Sequence, residues 1–326
     1  MQAIVIREFG GPEQLELREL PSPEPGPGHI RVAVHATALN RADLLQRRGL
    51  YPPPKGESDI LGLECAGVVD ALGPGVTQVK LGDRVMALLA GGGYAEQVVL
   101  HADMAIPIPT GMSFERAAAI PEAFLTAREA LFGLGQLKPG QFVLIHAAAG
   151  GVGSAAVQLA ALAGARVIGT AGSGEKLELV QQLGAELTVN YREEDFVAQT
   201  RLLSPRGADL VLDFVGGSYW EQHSKVLSVG GRCVVIGVLG GAVAQVNLAM
   251  LLMKRQQILG LVMRSRELSD KIRVTQAFIA ESLPEFASGK LRPVVDLVFP
   301  LAAAQQAHER MEQNLNQGKI VLKLRD

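Results

Sequence analysis

A chain of 326 residues, 48% hydrophobic and 20% charged, has a globular composition and is long enough for two domains, since single cores stop growing at roughly 250–300 residues. The formal net charge of -2 predicts no polyanion or membrane-surface partner, and small basic groups such as Arg47-Arg48 read as solvated surface. No apolar run reaches the ~18 residues of a membrane span. Arg7, Glu8 and Glu13 interrupt any leader-like stretch, and Cys65 and Cys233 are too few for a disulfide framework, so a cytoplasmic location is expected.

The first part of the chain reads as short strands divided by Gly/Pro turns: Ala3–Arg7, Leu15–Glu19, His29–Ala38, Val68–Leu72, Arg84–Leu89 and Tyr94–Leu100. A helical stretch from a capped start at Ser113 then runs through Glu129 to Leu134. From Phe142 onward strands and helices alternate, with strands at Phe142–His146, Arg166–Thr170, Leu187–Val189, Leu210–Phe214 and Arg232–Ile236. The helices between them are Ser154–Ala163, Glu175–Leu183, Asp195–Leu202 and Tyr219–Leu227, and Gly164, Gly184 and Gly230 are placed to stop three of them. Such alternation predicts a parallel, doubly wound sheet. A strand at Ile258–Val262, a long helix Ser269–Ala287, a strand Val294–Phe299, a helix Leu301–Asn314 and a strand Lys319–Leu324 complete the chain.

The segment FVLIHAAAGGVGSAAVQ, Phe142–Gln158, carries the first chemistry. A buried strand, a turn of glycine and alanine and a helix, in that order, bring backbone N–H groups and a helix N-terminus to a pyrophosphate. The glycine pattern falls on Ala148, Gly150 and Gly153, with Gly151 and Val152 between them at the phosphates. The second strand ends Thr170-Ala171-Gly172-Ser173, about 20 residues further on, without the acid that would bond a 2′-hydroxyl and repel a 2′-phosphate. Ser173, Lys176 and Tyr191 together suit a phosphate, so NADPH is favoured over NADH. Lys176 taken alone is also compatible with a plain surface lysine, and Glu175 is read as serving the helix dipole.

These residues carry a resemblance. AAAGGVGSAAVQLA, TAGSGEKL, NYREEDF, NRADLLQRRGLYPPP, ILGLECAGVV, AAAIPEAFLTA, GGSYW and HERMEQNLNQGKIVLKL resemble the zeta-crystallin-like quinone oxidoreductases of the medium-chain dehydrogenase/reductase superfamily. The similarity spans nearly the whole chain and is greatest to the tumour-suppressor-inducible quinone reductase branch. It implies an α/β protein with a GroES-like β-rich catalytic domain, 1–121 completed by 266–326, and a Rossmann cofactor domain, 122–265. It also implies a homodimer or homotetramer joined through the last Rossmann strands. By position it implies further cofactor contacts at Thr126, Phe214, Val215, Gly237, Leu239, Met263, Arg264, Asn316 and Lys319, the lysine and arginine reaching phosphate charge.

Zinc-dependent relatives of this family need a cysteine where this chain has Asn40 and a histidine where Leu63 precedes Glu64. The chain therefore reads as metal-free, with His35 and His146 as core or capping residues and Cys65 as a small buried one. The cofactor supplies hydride, and the protein must place the acceptor and stabilise or protonate the product. Tyr51 is assigned to the acceptor oxygen, the alternative being packing against Pro52–Pro54. Asn40 is assigned to the nicotinamide ribose or the substrate. Asp43 lies in the same segment and is read equally as holding the loop. A quinone is the expected acceptor. An alkenal or enoyl thioester is the second possibility, and an NADPH-binding structural or sensor protein with little turnover the third.

Overall fold

Alternation of apolar and polar residues in His29–Ala38 buries Ile30, Val32, Val34 and Ala36 on one side, and that strand is the centre of the first sheet. The computed structural model describes residues 1–325. The chain divides into two units, Met1–Leu125 with Met263 to the C-terminal end, and Thr126–Val262.

In the first unit β1 (Gln2–Ile6) and β2 (Leu15–Glu19) form an antiparallel ribbon. β3 (His29–Ala38) leads into a short helix, α1 (Arg41–Arg47), which the strand pattern of this region hides. β4 (Glu64–Leu72), β5 (Arg84–Leu88), β6 (Gln97–His101), β7 (Ile106–Pro107) and α2 (Phe114–Ala118) follow. The single helix expected from Ser113 to Leu134 is three pieces. Ser113 caps α2 through Arg116 N–H, α3 (Pro121–Arg128) starts on a proline, and a π-helical turn covers Glu129–Leu134.

The second unit strings β8 (Phe142–Ile145), α4 (Gly151–Leu162), β9 (Arg166–Ala171), α5 (Gly174–Gln182), β10 (Leu187–Asn190), α6 (Phe196–Leu203), β11 (Ala208–Asp213), α7 (Trp220–Val226), β12 (Leu227–Val235), α8 (Leu248–Lys254) and β13 (Gln257–Gly260). The six strands are all parallel and lie in the order β10-β9-β8-β11-β12-β13. This is the dinucleotide-fold order, whose switch point falls between β8 and β11. Gly164 and Gly184 end helices with positive φ, whereas Gly230, at φ +80, lies inside β12, where the β11–β12 register shifts. It therefore serves a strand irregularity and not a helix stop.

The chain then returns to the first unit through α9 (Leu268–Glu281), α10 (Leu283–Ala287), β14 (Val295–Pro300), α11 (Ala304–Glu312) and β15 (Lys319–Lys323). The long helix expected over this stretch breaks at Ser282, just before Pro284, which has no N–H to continue it. β15 pairs antiparallel with β3, Val321 opposite Ala38, and that register continues to Lys319 and Asn40. On the other edge of β3, β4 pairs Ala36 with Ala66, a register that carries Glu64 to Ala38. Three residues far apart in sequence thus meet at one end of one sheet.

The two glycines that start α4 do different work. A Cβ on Gly153 would stand 2.3 Å from the Ala147 carbonyl oxygen, whereas one on Gly150 meets only that oxygen, at 3.2 Å. Gly153→Ala should therefore cost roughly 1–3 kcal/mol through forced backbone shifts, and Gly150→Ala much less. Thermal unfolding of the two variants side by side checks this.

Candidate active site

Asn40 caps α1, and its own N–H donates to Asp43 Oδ2 at 2.7 Å. Asp43 is fully buried and also accepts from Gly62 N–H at 3.3 Å and the Tyr94 hydroxyl at 3.2 Å. Burial pushes its carboxyl up to about 6, against the opposing pull of these donors and of Lys319. Asp43 therefore builds the loop and presents no oxygen to a substrate, which corrects its catalytic assignment.

Glu64 and Lys319 form a buried ion pair at 2.6 Å. The Lys319 ammonium also donates to Leu39 O at 2.7 Å and to Asn40 Oδ1 at 2.5 Å, so its three N–H bonds are all used inside this unit. The resemblance implied a cofactor phosphate for it; in this structure its partners are all internal to the unit. Glu64 takes a second donor at Oε1, Asn40 Nδ2 at 3.0 Å, and at Oε2 the Glu122 N–H at 2.9 Å. Asn40, 9% exposed, is thus oriented from both ends of its amide.

Arg264 is a second internal brace. It is buried, and its guanidinium donates to Ala90 O at 2.7 Å, Gln46 Oε1 at 2.7 Å and Tyr51 O at 3.2 Å. These contacts hold the Tyr51 loop, where the resemblance implied a cofactor contact. Met263 is buried, and Asn316 spends its amide on Gly318 O at 2.8 Å, closing a local turn. Tyr51 remains half-buried, with the Arg264 guanidinium carbon 5.3 Å from its ring centre. Burial raises its hydroxyl above the usual range, so it stays a hydrogen-bond donor.

Arg47 also departs from expectation. It is fully buried, not solvated, because α11 supplies partners: Glu312 forms an ion pair with it, and His308 Nδ1 lies 3.1 Å from Nη1. Arginine can only donate, so Nδ1 accepts and Nε2 carries the hydrogen toward the Tyr94 oxygen, 3.2 Å away. Burial, helped by the Arg47 charge, lowers His308 to about 3 and keeps it neutral. A continuous chain of hydrogen bonds therefore runs from Arg47 through His308 and Tyr94 to Asp43.

In the second unit the expected cofactor residues gather at the C-terminal ends of the parallel strands. The Ala147–Gly153 turn follows β8, Ser173 follows β9, Tyr191 follows β10, Phe214 and Val215 follow β11, and Gly237 and Leu239 lie beyond β12. This is where open α/β sheets bind ligands. Ala147 holds a left-handed φ of +45, a strained position for alanine at the mouth of the turn. Ser173 precedes α5 with its hydroxyl making no cap bond, and it is exposed. A Cβ on Gly172 would stand 2.8 Å from the Tyr191 hydroxyl and 3.1 Å from Arg192 Nε, so both side chains lie against the residue next to Ser173. Arg192 was not singled out from the sequence, and its signal was the basic residue directly after Tyr191 in NYREEDF. Lys176 is half-buried one turn into α5, and Glu175 is exposed at the start of that helix. Thr126 is buried with its hydroxyl lacking a partner. An orphaned hydroxyl, an open glycine at Gly150 and a Ser/Tyr/Arg group without a carboxylate fit a 2′-phosphorylated dinucleotide.

His146 and His223 share a 3.0 Å contact between their Nε2 atoms, and His146 Nδ1 lies 2.9 Å from Thr170 Oγ1. Among the described residues, one grouping has ligand atoms close enough to share an ion, Asp213, His223 and Cys233, all buried in the second unit. Asp213 Oδ1 already takes Val215 and Gly216 N–H. Burial drives His223 down to about 4 and the Cys233 thiol far up, which disfavours the charged imidazolium and the thiolate there.

A parallel dinucleotide unit joined in one chain to a β unit that the C-terminal strands complete defines an alcohol-dehydrogenase-like architecture. The family model for a zinc-binding dehydrogenase matches residues 151–280, and that for the alcohol dehydrogenase GroES-like domain matches residues 26–110. The chain is 36% identical over 327 residues to quinone oxidoreductase 1 of Escherichia coli strain K12, covering 98% of each. It is similar to the crystal structure of Escherichia coli quinone oxidoreductase complexed with NADPH, with a TM-score of 0.90 and 34% identity over 99% of this chain and 100% of that one. The crystal structure of an NAD-dependent alcohol dehydrogenase is matched with a TM-score of 0.89 and 39% identity over 99% and 100%. The chain belongs to the medium-chain dehydrogenase/reductase superfamily, alongside its quinone oxidoreductases.

Lys319→Met should cost roughly 3–5 kcal/mol, because it strands a buried carboxylate. Adding Glu64→Leu should recover part of that loss, a non-additivity that denaturant unfolding of both variants measures.

Proposed function

We propose that this chain is an NADPH-dependent oxidoreductase that passes hydride to quinones without a catalytic zinc. The observation that carries the reading is the state of Glu64. An ammonium and an amide saturate its Oε1 side, and Asn40 and buried Leu63 stand where a metal would need soft or nitrogen ligands. With no Lewis acid held there, an alcohol has nothing to draw off its proton. A quinone needs only hydride and a proton, and its aromatic product supplies driving force. NADPH, when bound, supplies the hydride.

The protein's part is binding and placement. Gly150–Gly153 and the start of α4 receive the pyrophosphate, and Ser173, Tyr191 and Arg192, with Lys176, receive the 2′-phosphate. Thr126 offers its unpartnered hydroxyl toward the nicotinamide end. Tyr51, positioned by Arg264, bonds the acceptor oxygen, while Asn40 is held rigid by Glu64 and Lys319. The neighbour named as NAD-dependent makes cofactor preference a point to test.

We assign a homodimer to the edge of the second unit. β13 ends its sheet, and Leu248, Leu252, Met253, Ile258 and Val262 there are 43–78% exposed. No helix among the described residues is long and apolar enough to cross a membrane, and we assign a cytoplasmic location.

Arg192→Ala should raise KM for NADPH by about tenfold or more, the worth of a charge-assisted contact, and leave KM for NADH nearly unchanged. Equal effects would remove the 2′-phosphate assignment. Following NADPH oxidation with a quinone panel beside an alkenal and an enoyl thioester tests the acceptor class. Turnover confined to the conjugated carbonyls would overturn the quinone reading.

A further inference from the structure

Three side chains of the second unit converge without a hydrogen bond of ordinary length between them. Asp213 ends β11, His223 lies in α7 and Cys233 lies in β12, and they are 2%, 0% and 0% exposed. His223 Nδ1 stands 3.5 Å from Asp213 Oδ2 and 4.0 Å from Cys233 Sγ, and the three atoms all lie within 4.8 Å of one another. An N–H···O bond spans about 2.7–3.2 Å, so 3.5 Å is long for one. Two ligands of one tetrahedral zinc, at bonds of about 2.0–2.3 Å, stand roughly 3.3–3.7 Å apart. The Asp213–His223 spacing therefore suits a shared cation better than a direct contact. Cys233 Sγ lies about half an ångström beyond that spacing, within reach of its one rotatable bond.

We propose that Asp213 Oδ2, His223 Nδ1 and Cys233 Sγ form a structural zinc site, with water in the fourth position. Thiolate and imidazole select zinc over magnesium or calcium, which take oxygen ligands. On binding, a Zn–S bond replaces the S–H bond, the proton leaves to water and no electron changes hands. The cation joins β11, α7 and β12, and through Asp213 it steadies the turn at Val215 and Gly216. The site belongs to the second unit, whereas Glu64 belongs to the first, so hydride transfer without a catalytic zinc is unaffected.

The groups around these ligands are arranged as a metal site requires. Asp213 Oδ1 accepts from Val215 N–H at 2.8 Å and Gly216 N–H at 2.9 Å, which leaves Oδ2 to face His223. With Nδ1 on the cation, His223 carries its hydrogen on Nε2 and donates it to His146 Nε2 at 3.0 Å. His146 then carries its own hydrogen on Nδ1 and donates to Thr170 Oγ1 at 2.9 Å. A ligating histidine commonly donates its second N–H in this way, which fixes tautomer and ring orientation. The rings of Phe196 and Tyr219 pack on both histidines, with centres 4.8–6.1 Å apart. Charge balances as well. Among the described residues no lysine or arginine pairs with Asp213, and a dication with one carboxylate and one thiolate is neutral, as an apolar surround demands.

The test is metal counting in the full-length protein, produced in zinc-supplemented medium because ligands this buried load as the unit folds. Wild type should hold about one zinc per chain after gel filtration, and Cys233→Ala and His223→Gln less than about a tenth of that. Cys65→Ala, which removes the other buried thiol, should keep the zinc. Production with cobalt(II) reads the ligands directly. Wild type should show a thiolate-to-cobalt charge-transfer band and the strong visible bands of a tetrahedral site, and Cys233→Ala neither. Saturating zinc should raise the Tm of wild type over the chelated protein by roughly 5 °C or more, and leave that of Cys233→Ala unmoved.

Wild type without metal, or without the charge-transfer band, overturns the site and leaves a hydrogen-bonded core cluster in its place. Zinc held in full by Cys233→Ala and His223→Gln also overturns it. If both variants fail to fold, the wild-type cobalt spectrum decides alone, because only a bound thiolate gives the charge-transfer band and Cys65→Ala tells which thiol supplies it.

Discussion

The first unit depends on one ion pair, Glu64 with Lys319. Lys319 begins β15, Glu64 begins β4, Asn40 caps α1 and Glu122 lies in the first turn of α3, and all four meet through the Glu64 carboxylate or the Lys319 ammonium. Burying two charges is costly, and their mutual attraction offsets that only when the remaining donors and acceptors are also matched. Here each ammonium hydrogen has its own oxygen, and each carboxylate oxygen has a donor. The pairing is therefore more a means of register than a source of net stability. It selects the one alignment of β15 on β3 and the one start of α1 that leave nothing unpaired. Arg47 repeats the logic on α11, and Arg264 repeats it for the Tyr51 loop.

The second unit is governed by backbone approach and not by charge. Its sheet is apolar on both counts that matter, strand and helix. All of β8 is buried, and α4 buries Gly153 through Ala160, with Ser154 and Gln158 turning their polar groups back onto the helix's own carbonyls. Such close packing of α4 onto β8 is possible because Gly153 has no Cβ to strike the Ala147 carbonyl. A Cβ on Gly150 would meet that oxygen only at 3.2 Å, so the packing asks far less of this position. The same turn thus separates a glycine that the packing requires from one that it requires far less, a distinction that glycine spacing alone does not make.

That contrast explains how far the sequence could be read. Strands such as Leu15–Glu19 and His29–Ala38 and the order of elements after Phe142 were legible because periodicity and Gly/Pro punctuation are local. α1 was not, since seven residues give less than two turns of pattern, and its start is set by Asn40 and Asp43 in a tertiary network. Lys319 and Arg264 looked like phosphate ligands because a sequence shows a charge without its partner, and their acceptors lie up to 280 positions away. Arg47 looked solvated for the same reason, its partners being on α11. Arg192 went unmarked because an exposed basic residue has no periodic signature. Only its stacking beside Gly172 next to Ser173 distinguishes it.

On the proposed reading without a catalytic metal, the same network shows how the tasks of an ion can be divided. A catalytic ion carries fixed positive charge, polarises the reacting oxygen and lowers the barrier to moving a proton. In this chain those tasks fall to different side chains. Lys319 supplies the charge but is locked away from substrate by its three acceptors, so it acts on Glu64 and Asn40. Tyr51, in the role proposed for it, would offer the acceptor oxygen a hydrogen bond whose hydrogen burial makes hard to remove. Division of labour of this kind suits an acceptor that is already electron-poor, because no single group is required to activate it strongly.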